Sequence, residues 1–78
     1  MIGKLRVSSY EKKGDKWELS DSNVEDGNLE LKRWKEWKNF DKGLGATVFM
    51  ESEGNTLKRY VTYSPDKKKK VIYSKVSD

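Results

Sequence analysis

The densest concentration of chemically capable side chains is Lys32-Arg33-Trp34-Lys35-Glu36-Trp37-Lys38-Asn39-Phe40. Counted on to Lys42, it sets five cations among three large aromatic residues. Single-stranded nucleic acid requires this combination. Cations follow the phosphates and flat rings stack on the bases, each stacked base contributing about 1–3 kcal/mol. The competing assignment for Trp34 or Trp37 is the interior, since a small domain has few other side chains large enough to fill it. Burial of both is disfavoured by the charges that occupy most neighbouring positions.

Two further groups extend the expected binding surface. Lys58, Arg59, Tyr60 and Tyr63 lie in a stretch of strand-like alternation, where Lys58 and Tyr60 share a face. The alternative is a solvated face whose tyrosines shield the strand backbone. The run Lys67, Lys68, Lys69 and Lys70 places four like charges together, which favours an exposed turn. Such a turn either contacts phosphate or guards an edge strand against unwanted pairing. The nucleic-acid site is therefore expected at Lys32, Arg33, Trp34, Lys35, Trp37, Lys38, Lys58, Arg59, Tyr60 and Lys67 to Lys70.

Other chemistries are poorly supplied. The chain has no Cys and no His, which removes disulfides, the usual zinc ligands and the Ser-His-Asp and Cys-His arrangements. Gly43-Leu44-Gly45 lacks the remainder of a phosphate-loop signature. The carboxylates from Asp15 to Glu30 do not match the spacing of an EF-hand loop, and nothing around them suggests an apolar pocket that would raise one for acid–base work. The expectation is a protein that is not an enzyme and carries neither metal nor cofactor. The acidic stretch could instead neutralise the basic half or bind a basic partner protein.

The elements that must position these residues are short strands. Ile2 to Tyr10 alternates, with Leu5, Val7 and Ser9 on one face and Lys4, Arg6, Ser8 and Tyr10 on the other. Lys12-Lys13-Gly14-Asp15 is a turn signal. In Lys16 to Ser20, Trp17 and Leu19 are expected inward. Asp21 to Asn28 reads as a polar loop, rich in residues that hydrogen-bond their own backbone. A third strand is expected to run from Leu29 to about Trp34. Leu31, Trp34, Trp37 and Phe40 then recur every three residues, a step that drifts by about 60° on an α-helix, so a short helical turn near residues 34–41 is the expectation.

The C-terminal half reads as a three-stranded meander. Ala46 to Glu51 sets Val48 and Met50 against Thr47, Phe49 and Glu51. Ser52-Glu53-Gly54-Asn55 and Ser64-Pro65-Asp66-Lys67 are strong turns on either side of Thr56 to Tyr63, and Val71 to Val76 closes the set. Leu57, Arg59, Val61 and Tyr63 are expected on one face of their strand. The fold class is thus mostly β: a single small antiparallel sheet or partly open barrel of about five to six strands, in one domain over residues 1–78.

Composition bounds the partners. Hydrophobic residues make up 33% and charged residues 38%, a balance near the disordered regime, which the three Trp, four Tyr and two Phe argue against. The formal net charge of +4 is unevenly spread: residues 1–13 carry +3, residues 14–31 carry −5 and residues 32–78 carry +6. No apolar run is long enough to span a bilayer, and the N-terminus has no stretch of signal-peptide length, so a cytoplasmic location without membrane contact is expected. The function expected first is a non-catalytic nucleic-acid-binding module, single-stranded DNA or RNA favoured. The runner-up is a small phage- or plasmid-type regulator that binds an acidic host protein, because exposed Trp and Arg also dominate protein interfaces. Edge strands in so small a chain make a homodimer possible.

Overall fold

The computed structural model describes residues 2–76. The elements are β1 (Ile2–Lys13), β2 (Lys16–Asn28), α1 (Leu31–Gly43), β3 (Thr47–Glu53), β4 (Thr56–Tyr63) and β5 (Lys69–Lys75). All five strands form one antiparallel sheet in the order β2-β1-β5-β4-β3. The chain is mostly strand with one helix, as its alternation predicts.

Two of the expected turns form as two-residue hairpin loops. Gly14 and Gly54 each occupy the first loop position with positive φ, 65° and 61°, which residues with a Cβ rarely adopt. The third joins β4 to β5 through Ser64–Lys68. There the Lys67 N–H donates to the Ser64 carbonyl at 2.9 Å, and the Asp66 carboxylate accepts from the Ser64 hydroxyl and the Lys68 N–H. Those two bonds hold the Asp66 carboxyl below its usual range.

Three expectations are corrected. Asp21 to Asn28 is not a loop but the second half of β2, paired with β1 from Ile2↔Asn28 to Ser9↔Asp21. An edge strand tolerates polar side chains on both faces, and here backbone pairing outweighs local preference. The strand expected from Leu29 to Trp34 is limited to a bridge between Glu30 and Thr56. Around it Leu57 N–H donates to the Leu29 carbonyl and Leu31 N–H to the Asn55 carbonyl, each at 2.9 Å. This segment occupies the side of β4 beyond the reach of β5 and partly closes the sheet on itself. The short helical turn near 34–41 is instead a helix of thirteen residues.

The three-residue recurrence explains how that helix sits. Trp34 is 7% exposed, Trp37 53% and Phe40 67%, so the series winds progressively off the sheet. The side toward the sheet carries Leu31, Trp34, Lys38 and Asp41, all at least half-buried. The helix ends where Leu44 N–H bonds back to the Phe40 and Asp41 carbonyls and Gly45 takes φ 91°, a conformation suited to a helix terminus.

The core is a single cluster of Leu5, Leu29, Trp34, Val48, Leu57 and Tyr60, with Met50 and Tyr73 packed against it. Trp34 is its hub. Its ring centroid lies 5.0 Å from Tyr60 and 5.3 Å from Tyr73, and its indole N–H donates to the Asn28 carbonyl at 2.7 Å. Leu29 and Leu5 fit because Gly3 and Gly27 face them. A Cβ on Gly3 would collide with the Leu29 side chain, and one on Gly27 would stand 2.8 Å from Leu5 Cδ1. Tyr60 is fully buried, and its hydroxyl donates to the Asp41 carboxylate at 2.5 Å, tying the helix to the sheet.

Two outcomes follow for stability. Trp34→Ala should cost about 3–5 kcal/mol, enough to unfold most of a domain this small, read by urea denaturation followed by circular dichroism. Burial, followed by the bond to Asp41 and its charge, raises the Tyr60 hydroxyl well above the ordinary tyrosine value. The neutral phenol is thus favoured in the folded state. Stability should be unaffected by this group below pH ~10 and should fall as pH rises beyond it, where unfolded tyrosine ionises first. The melting temperature of Tyr60→Phe, lower at neutral pH, should decline less steeply above that point.

Candidate functional site

The register sorts side chains onto two unlike faces. Helix α1 covers one face on the β3 and β4 side. The other face carries no element of the described chain, and the molecule is only 16 Å through its thinnest dimension. On that open face Leu19, Tyr10, Lys70, Tyr63 and Thr47 stand side by side across all five strands. The next row is Ser22, Ser8, Ile72, Val61 and Phe49; the one beyond is Val24, Arg6, Ser74, Arg59 and Glu51.

Aromatic rings and cations alternate at one end of this face. Trp17 lies on β2 and Tyr63 on β4, and three strand spacings would separate them by about 14 Å on a flat sheet. Their ring centroids are 5.9 Å apart, so the two side chains lean together across the strands between them. Phe49 continues the strip edge-on to Tyr63, also at 5.9 Å, and is 60% exposed. The Lys70 ammonium sits among the rings, 4.6 Å from Trp17, 5.1 Å from Tyr10 and 5.8 Å from Tyr63. The Lys12 ammonium lies 5.6 Å from Trp17. Attraction between cation and ring quadrupole holds these groups in place without a carboxylate to neutralise them.

The field over this face is positive. Lys4 is paired with Asp26 at 3.3 Å, but both are exposed and the pair contributes little. Arg6, Lys12, Arg59 and Lys70 remain against Glu51 and Glu53. The β4–β5 turn adjoins the same end, since Lys12 N–H donates to the Lys68 carbonyl at 2.8 Å. Lys67 and Lys68 therefore flank the aromatic strip.

The thirteen residues expected to form one site are divided by the fold. Arg59 and Lys70 lie on the open face, with Lys67 to Lys69 at its margin. Lys58 is exposed at the irregularity where β4 shifts register against β3. Lys32, Arg33, Lys35, Lys38 and Trp37 lie on α1, in the layer on the other side of the sheet. Trp34 and Tyr60 are core residues, so neither offers a ring face to a base. The share of Tyr60 in a lysine–tyrosine surface is thereby withdrawn.

Five residues of the strip, Tyr10, Lys12, Trp17, Phe49 and Tyr63, stand outside the expected site, although Tyr63 belongs to the lysine–tyrosine stretch singled out beside it. Alternation alone put Tyr10 with Lys4 and Arg6 and Phe49 with Thr47, and both groupings hold. Trp17 and Leu19, expected inward, point to the open face, because an apolar alternation does not say which side the helix will cover. The expected face Leu57, Arg59, Val61 and Tyr63 breaks at the β4 irregularity. Leu57 enters the core while the other three face outward.

No protein-family model, curated protein or solved structure matches this chain. Among the described residues no three acidic side chains converge as a metal site would require, and no helix is long and apolar enough to cross a membrane.

Proposed function

We propose that this chain is a non-catalytic module that binds single-stranded nucleic acid on the open face of its sheet. The carrying observation is the Lys70 ammonium set among Trp17, Tyr10 and Tyr63, with Phe49 exposed beside them. Phe49 offers an exposed ring and Arg6, Lys12 and Arg59 offer exposed cations on one surface, with Tyr10, Trp17, Tyr63 and Lys70 more than half-buried beside them. Duplex DNA would meet a broad sheet with no helix or ribbon projecting to enter a groove, whereas unstacked bases can lie flat on the strip. Stacking tolerates any base, so little sequence preference is expected.

The strands, and not the helix, carry the binding role. Phosphate contacts come from Arg6, Lys12, Arg59 and Lys70, with Lys67 and Lys68 at the turn. Stacking comes from Trp17, Phe49 and Tyr63. About four neutralised phosphates correspond to a slope near −3 in log affinity against log salt for a single strand.

A labelled oligothymidylate titrated at low salt should bind with that slope. Phe49→Ala and Lys70→Ala should each weaken binding by about tenfold, equivalent to about 1.4 kcal/mol, with unchanged circular dichroism. Lys35→Ala on the helix should leave affinity unaltered. Absence of binding at low salt, or loss confined to Lys35→Ala, would remove nucleic acid from this face.

A further inference from the structure

The side of the sheet that bears the helix is only half covered. Helix α1 packs on β3 and β4, and Trp34 reaches as far as Tyr73 on β5. The helix axis does not lie over β1 and β2, where Leu5 is buried in the core while Val7 beside it stays partly exposed. Between these strands and the helix runs a groove of about 320 Å³ whose apolar lining includes Leu5, Val7, Trp34, Trp37 and Tyr73. A second hollow of about 340 Å³ continues it around Trp37 and Phe40. Trp37, Phe40 and Leu44 are 53%, 67% and 63% exposed and follow one another along the helix surface. A soluble chain seldom leaves so much contiguous apolar surface open without use.

The groove's own lining is net acidic, with Glu25 and Asp26 against Arg33, while Lys13, Lys16, Lys69 and Lys75 stand elsewhere on the same side of the sheet. The alternation of β2 that sends Trp17, Leu19 and Val24 to the open face sends Glu18, Asp21 and Glu25 to the helix side. Glu25 lines the groove, and Glu36 and Asp41 line its continuation. Arg33 from the helix is the cation that lines it, and Lys75 stands on the same side at the far end of β5. The Tyr73 hydroxyl in the floor is raised by burial and then by the negative charges of Asp41 and Glu25, consistent with a negative field inside.

We propose that this groove binds a short basic segment of a partner protein, seating a bulky apolar side chain against Trp37 and its Lys or Arg residues against Glu25, Glu36 and Asp41. An exposed tryptophan at the centre of a charged rim is the usual anchor of such contacts. A second copy of the chain is a poorer occupant. Its basic surface is a broad sheet face that does not enter a groove, and head-to-tail contacts between unlike faces propagate into open filaments rather than closing. The inference is independent of nucleic-acid binding, since the two surfaces lie on opposite sides of the sheet.

The test uses the full chain and a fluorescein-labelled nonapeptide of alternating Lys and Gly with a central Leu. Polarisation should rise saturably with protein. Trp37→Ala and Glu25→Lys should each weaken binding by about tenfold or more. A peptide with Gly in place of the central Leu should bind about tenfold more weakly, and Lys70→Ala should bind as the parent does. Both altered residues are exposed, and circular dichroism should confirm that the variants fold. Equal binding by Trp37→Ala, equal binding of the Gly peptide, or no binding at about 1 mM protein would overturn the proposal. So would a concentration-dependent self-association that Trp37→Ala abolishes, which would make a second copy the occupant.

Discussion

Everything in this fold hangs on the indole of Trp34. A five-stranded sheet with one short helix has little interior to spend, and six buried side chains make up the core cluster. Trp34 touches two strands through Tyr60 and Tyr73, and its N–H closes the β2–α1 joint by bonding to Asn28. The helix is held at its other end by the bond between Asp41 and Tyr60. With one ring wedged between layers and one hydroxyl latched beyond it, a thirteen-residue helix that would be marginal alone becomes fixed on the sheet. The asymmetry of the molecule follows. A helix anchored over β3 and β4 does not reach across β2 on its own side and leaves the whole opposite face uncovered.

That geometry turns an uneven charge distribution into two distinct surfaces. The acidic stretch of the sequence forms the outer strand β2, where alternation and a register shift between Ser9 and Tyr10 separate carboxylates from apolar residues. Glu18, Asp21 and Glu25 go one way; Trp17, Leu19 and Val24 go the other. On the open face those apolar groups meet Tyr10, Lys70 and Tyr63 from the central strands.

Strand alternation and turn chemistry made much of the fold legible. The hairpins at Gly14 and Gly54 and the division of Val48 and Met50 from Phe49 onto opposite faces were readable from local pattern. What local pattern does not encode is which face a distant helix will cover. For Trp17 and Leu19 that decision is made by the crossing of α1 over the far strands, and the expected orientation was therefore reversed. The stretch Asp21–Asn28 misled because its loop-forming residues pair with β1 at an edge, where polar side chains cost little. The aromatic-basic helix segment misled in a different way. Its density of rings and cations was real, but one ring was needed for the core, and its cations lie in the layer away from the strip. Four adjacent lysines suggest a uniform exposed turn at Lys67–Lys70, yet β5 rotates Lys70 onto the sheet and into the rings.

The claim at the centre of this account is that bases stack on the strands and not on the helix. Three indole N–H signals in a nitrogen-15 correlation spectrum report on it directly, one from each side of the question. On addition of oligothymidylate the Trp17 signal should move, while those of Trp34, bonded to Asn28 in the core, and Trp37, on the outer helix, should stay in place. Movement of the Trp37 signal with Trp17 unchanged would contradict it.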